Sequence, residues 1–179
     1  MSQKLTDEQW GELFETYRYT ARRLEPRDRY NTDYSAEPRR RYLAGEPVDY
    51  SFMDVWTGRV SGWRDQGKQM ARVRVVTEPL TDAARFSLHV ARLNVTAGDE
   101  IRYLPRQRAQ ELELRLPDED YWIFDATIAA ILHFDADNRR VGQELINDPL
   151  EIVRRLHWFD AAWHHSVSRE EFAAKHGVE

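Results

Sequence analysis

At 179 residues, with 41% hydrophobic and 32% charged side chains, the chain has the size and composition of one soluble globular domain with room for a substantial core. A formal net charge of -5 argues against a protein that coats nucleic acid over its whole surface, and the absence of cysteine excludes disulfides, thiol catalysis and cysteine-ligated zinc. There is no run of about 18 apolar residues and no signal-peptide pattern at the polar start, so a cytoplasmic location without membrane contact is expected.

Thr6-Asp7-Glu8-Gln9 has the form of a capping box, and Trp10, Leu13, Phe14 and Tyr17 follow at helical spacing, predicting an amphipathic first helix that ends near Thr20. The next stretch, with Arg22, Arg23, Glu25, Arg27, Asp28 and Arg29 around Leu24 and Pro26, reads as a solvated connector laced with ion pairs or as an arginine-rich edge facing an anion. A short helix over 35–44 carries Arg39, Arg40 and Arg41 and closes at Gly45. From Ser51 a better helix begins, with Ser51 as its cap and Phe52, Val55, Trp56, Val60 and Trp63 on one face.

Residues 70–77 alternate as a first strand of the main sheet, and Thr81 or Asp82 caps a buried helix that Gly98 stops. A second strand over 100–104 follows, and a strand-helix-strand connection of this length implies parallel neighbours. After a polar stretch over 105–115 come two apolar runs, 121–124 and 127–132, joined by a tight turn at Asp125-Ala126, and a further antiparallel strand over 140–146. Asp148-Pro149 starts a helix whose face Ile152, Val153, Leu156, Phe159 and Trp163 packs on the sheet. The polar tail 168–179 is expected to be peripheral. The organisation that emerges is an N-terminal helical extension over 1–66 packed on an α/β core over 67–167, with a mixed sheet and flanking helices.

Hydrolytic and nucleotide motifs are missing: no Gly-x-Ser-x-Gly, no phosphate-binding loop, no Gly-x-Gly-x-x-Gly and no His-Glu-x-x-His. The only lysines are Lys4, Lys68 and Lys175, which leaves residues 69–174 without a lysine to serve as Schiff base or phosphate ligand. Ligands in open α/β sheets sit outside the carboxyl ends of strands. There Glu78 and Asp82 follow the first core strand, Arg102 and Arg106 lie on or after the second, and Asp120 and Asp125 flank the third. Arginines and carboxylates meeting at one edge would make a site for a small polar ligand or a peptide. Arg23, Glu25 and Trp122 complete the candidate set.

The order of elements resembles one half of a phospholipase-D-like domain, whose signature His-x-Lys-x4-Asp sits on a strand just before a second strand. Laid on this chain, that signature puts its aspartate at Asp125, its lysine position at Asp120 and its histidine position at Asp118. The activity requires a histidine nucleophile and a lysine that holds phosphate, and carboxylates in both places argue against it. Arg23-Leu24-Glu25 with Tyr30, Ala44-Gly45-Glu46, the segment 72–79 and the segment 120–125 also resemble an uncharacterised bacterial family, often encoded beside helix-turn-helix regulators. That resemblance implies a non-catalytic regulatory or adaptor module without a cofactor, bound to a protein partner such as a transcriptional regulator. One alternative is a metal-dependent hydrolase built on Asp118, Asp120 and Asp125. A second is nucleic-acid binding through the arginines of 18–41.

Overall fold

The structure, a computed structural model, describes residues 2–179. Its strands are β1 (Ser2–Lys4), β2 (Thr20–Glu25), β3 (Gln69–Val76), β4 (Asp99–Pro105), β5 (Asp120–Phe124), β6 (Ile128–Phe134), β7 (Arg140–Ile146) and β8 (Val167–Ser168). Among the described residues they form one eight-stranded sheet in the order β1-β7-β6-β5-β2-β3-β4-β8. The neighbours β2, β3 and β4 run parallel, and the flanking pairs are antiparallel. The expected mixed sheet with parallel β3 and β4 is therefore present.

The helices are α1 (Asp7–Thr16), α2 (Asp33–Leu43), α3 (Asp54–Asp65), α4 (Asp82–Ala97), α5 (Arg106–Glu111), α6 (Pro149–His165) and α7 (Arg169–His176). They cover the sheet on both sides, because strand side chains alternate between faces. On the back face Leu24, Val73, Val75, Tyr121 and Ile123 pack against Ile152, Phe159 and Ala162 of α6. On the front face Ala21, Met70, Trp122 and Phe124 pack under Phe14 of α1 and under Val60 and Trp63 of α3. Farther along that face Val76, Ile101 and Tyr103 meet Leu88 and Ala91 of α4 and Phe172 of α7. Each valine, leucine, isoleucine, phenylalanine or methionine among them contributes on the order of 1.5–3 kcal/mol when removed from water.

Local signals place the helix starts. Thr6 and Gln9 form the capping box of α1, Thr81 caps α4 through the Ala84 amide, and Asp148 caps α6 through the amides of Leu150 and Glu151. Gly98 ends α4 with φ 114°, where an added Cβ would stand 2.7 Å from Cδ of Arg64.

Several expectations change. The first helix stops at Thr16 rather than near Thr20, because the chain turns extended at Tyr17 to enter β2. The stretch read as a connector is β2, paired with β5 on one side and β3 on the other. Among the described residues, the N-terminal 66 supply three helices and also two strands of the same sheet. Ser51 does not cap a helix: a 3-10 turn over Ser51–Met53 precedes α3, and the Asp49 carboxylate accepts from the Ser51 amide. The polar stretch after β4 contains α5. Val153 is exposed rather than packed. The tail is not peripheral, since Phe172 stacks on Tyr103 with ring centroids 4.9 Å apart and Ala173 and Val178 are buried.

Candidate ligand-binding cavity

The front helices do not close completely over the sheet, and a cavity of about 720 Å³ lies between them. Its floor is charged. Strand alternation puts Arg23 and Glu25 of β2, Arg72 and Arg74 of β3, Tyr103 of β4 and Trp122 of β5 on this face. Phe14, Trp10, Trp56, Phe86 and Phe134 supply apolar walls.

The burial of three arginines needs compensation, because an unpaired charge away from water is very costly. Three carboxylates provide it. Glu25, 2% exposed, lies 3.5 Å from Arg23, 3.3 Å from Arg72 and 3.4 Å from Arg74. Asp120 accepts from Nε and Nη2 of Arg23 at 2.8 and 3.0 Å and from the Tyr30 hydroxyl at 2.6 Å. Asp99, fully buried, accepts from Nη2 of Arg72. The floor is thus a lattice of three cations and three anions, tied also to Ser87 and Tyr103 through Arg74.

The ionisations follow from these contacts. Burial opposes the charge of Glu25, yet Arg23, Arg74 and Arg72 together hold its carboxyl down at about 2. Burial pushes Asp120 up, beyond the downward pull of Arg23. For Arg23 burial is overcome by Asp120 and Glu25, and the guanidinium is held above its usual range. Tyr30 is pushed well up, by burial first and by Asp120 second.

Not every polar atom around the cavity is satisfied within the protein. Nε of Arg72, Nε of Arg27 and Oδ1 of Asn94 are buried without a hydrogen-bond partner, and all three residues line the cavity. Asn94 is 4% exposed, on the inner side of α4.

A family model for a domain of unknown function, DUF6879, matches residues 8–174. The chain belongs to that family. No curated protein matches it. Among solved structures it is similar to Nuc, a phospholipase D family member from Salmonella typhimurium, with 9% identity over 94% of this chain and 95% of that one and a TM-score of 0.52. NucT from Helicobacter pylori matches at 9% identity over 94% and 97% of the two chains, with a TM-score of 0.49. TrmBL2, an archaeal chromatin protein, matches at 12% identity over 93% of this chain and 54% of its own, with a TM-score of 0.48. The likeness to Nuc establishes a phospholipase-D-like fold and nothing about activity.

In this DUF6879 chain Arg23, Glu25, Asp120 and Trp122 come together, with the Arg23 guanidinium 5.6 Å from the centre of the Trp122 ring. The other candidates lie elsewhere. Asp125 stands at the opposite end of β5 from Asp120, about 17 Å away at roughly 3.4 Å per residue. There it accepts from the backbone amides of Arg18, Tyr19 and Thr20, and these bonds keep its carboxyl below the usual range against the upward push of burial. Glu78 pairs with Lys175 at 2.9 Å and His176 at 2.7 Å, tying the end of β3 to α7. Asp82 is an exposed first-turn residue of α4. Arg102 points to the back face, where it donates to Ser166 and covers Trp163. A cavity does lie at the carboxyl ends of β3 and β4, lined by Pro26, Val75 and Arg106, while Arg23, Glu25 and Trp122 line the larger one across the front of β2, β3 and β5.

Asp118, Asp120 and Asp125 do not converge: Asp118 is exposed and lines a second, smaller cavity with Pro26 and Arg106. The arginines of 18–41 also separate. Arg22 turns to Asp160 at the back, Arg23 is under the front helices, and Arg40 and Arg41 pair with Glu37 on α2. Arg72, Arg74 and Tyr103 escaped the sequence reading. Their signal was present as two arginines spaced i, i+2 in a strand with parallel neighbours, since such strands are covered on both faces and their polar side chains must be inside.

Proposed function

We propose that this protein is a non-catalytic binding module whose cavity receives a small polar ligand. The observation that carries the reading is the floor: a charge-balanced lattice of arginines and carboxylates at the bottom of an aromatic-walled space. Pockets that hold small molecules have this composition, mostly apolar walls with a few fixed polar groups. The lattice contains neither a histidine nor a free nucleophile, and its two carboxylates nearest the cavity are held by arginine, which suits recognition better than proton transfer. A protein partner, such as a helix-turn-helix regulator, is proposed on the family resemblance alone.

Thermal unfolding against a panel of metabolites tests the cavity. Compounds that raise the midpoint of the native protein should fail to do so in Ala83→Trp, which sets an indole at a lining position of α4. Binding that survives this substitution unchanged places the ligand elsewhere and defeats the proposal.

A further inference from the structure

The cavity's charge balance identifies the kind of ligand, an inference that rests on the cavity being the binding site. Seven arginines line it, and five have a carboxylate in reach. Arg23, Arg72 and Arg74 belong to the floor lattice, Arg59 is answered by Glu15, and Arg140 has Asp7 at 3.6 Å. The remaining lining acid, Asp28, accepts from the amide and hydroxyl of Thr77 and lies 4.0 Å from Arg106.

Arg27 and Arg39 are the exceptions. Among the described residues neither has a carboxylate within ion-pair distance. Arg27 lies over the ring of Phe134 at 4.9 Å, with its Nε buried and unpartnered. Arg39 reaches only Oδ1 of Asn31 at 3.3 Å, an oxygen it shares with Arg29. Burial and the neighbouring Arg29 lower the Arg39 pKa, as for a cation that nothing nearby neutralises. A neutral floor with two unanswered guanidinium groups in the cavity lining suits an anion, since arginine binds carboxylate and phosphate through forked, charge-assisted hydrogen bonds. The rings that line the same cavity, Tyr30, Phe134, Trp10 and Trp56, offer flat apolar surface to whatever carries the anion.

We infer that the ligand is a small anion on an aromatic body, its carboxylate or phosphate seated between Arg27 and Arg39 and its ring against the aromatic wall. The unpartnered Oδ1 of Asn94 at the inner side would accept a hydrogen bond from an N–H or O–H on that body.

Calorimetric titration of the intact chain with 1-naphthol, 1-naphthoate and 1-naphthyl phosphate separates the terms, because the three share one ring system and differ in the charged group. At least one anion should bind about tenfold or more tighter than 1-naphthol, the size of one charge-assisted hydrogen bond. Arg39→Gln and Arg27→Gln should each remove most of that advantage while leaving 1-naphthol unchanged. Both side chains are partly exposed at the rim, so the fold should tolerate the changes. Phosphate ahead of carboxylate would assign the natural ligand to the phosphate esters, and the reverse order to the aromatic acids. Equal affinity for all three, or anion binding indifferent to both substitutions, overturns the anion assignment and leaves the cavity reading intact. Heatless titrations with all three probes, together with no compound raising the unfolding midpoint of the native protein, overturn the cavity reading itself.

Discussion

Glu25 is the keystone of the floor, and replacing it with glutamine tests the lattice directly. The substitution keeps size and one acceptor oxygen but removes the charge that faces Arg23, Arg72 and Arg74 at 3.3–3.5 Å. Two routes give the magnitude. The carboxyl is held at about 2 in place of its ordinary 4.5, which corresponds to about 3 kcal/mol of stabilisation of the charged form. Breaking a buried ion pair by removing one partner costs about 3–5 kcal/mol, because the partner's charge stays buried and uncompensated. Equilibrium urea unfolding at pH 7 should therefore show a loss of about 3 kcal/mol, or a midpoint lower by about 1.5 M at a slope of roughly 2 kcal/mol per molar. The pH dependence has a definite sign. A depressed carboxyl contributes fully above its unfolded pKa, so the difference between native protein and variant should be constant above about pH 5 and shrink as pH falls from 4.5 toward 2. A loss below about 1 kcal/mol at pH 7, or a difference that does not shrink on acidification, would refute the account of Glu25 as the shared counter-ion.

Three further substitutions probe the frame around the cavity. Phe172→Ala removes the ring stacked on Tyr103 and should cost about 3–5 kcal/mol by thermal or chemical unfolding, a result a peripheral tail would not give. Ala126→Gly should stabilise by about 1 kcal/mol: residues 125 and 126 have φ 51° and 56° in the turn closed by the Thr127 amide on Phe124, and glycine accepts that conformation without a Cβ clash. Gly98→Ala should destabilise by about 1–2 kcal/mol, and adding Arg64→Ala should recover the part due to the 2.7 Å contact but not the part due to φ 114°, as a double-mutant cycle would measure.

The sequence by itself determined most of the local structure. Capping residues at Thr6, Thr81 and Asp148, the stop at Gly98, and the alternation in 70–77 and 121–132 act over a few residues, and the elements formed where these signals lie. The juxtaposition of Arg23, Glu25, Asp120 and Trp122 was legible only as a set of suspect residues, since nothing local says that β5 lies beside β2. Strand pairing is a long-range choice, and here it decided the site. Seating β2 between β5 and β3 turned a charged connector into a central strand, and it carried Arg72 and Arg74 inward with it. The same pairing left Asp125 to close a turn at the far end of β5, although it stands only five positions after Asp120. Sequence patterns report which residues can be buried; which buried charges meet depends on strand order, and that is settled only when the whole sheet has assembled and every buried cation must find its anion.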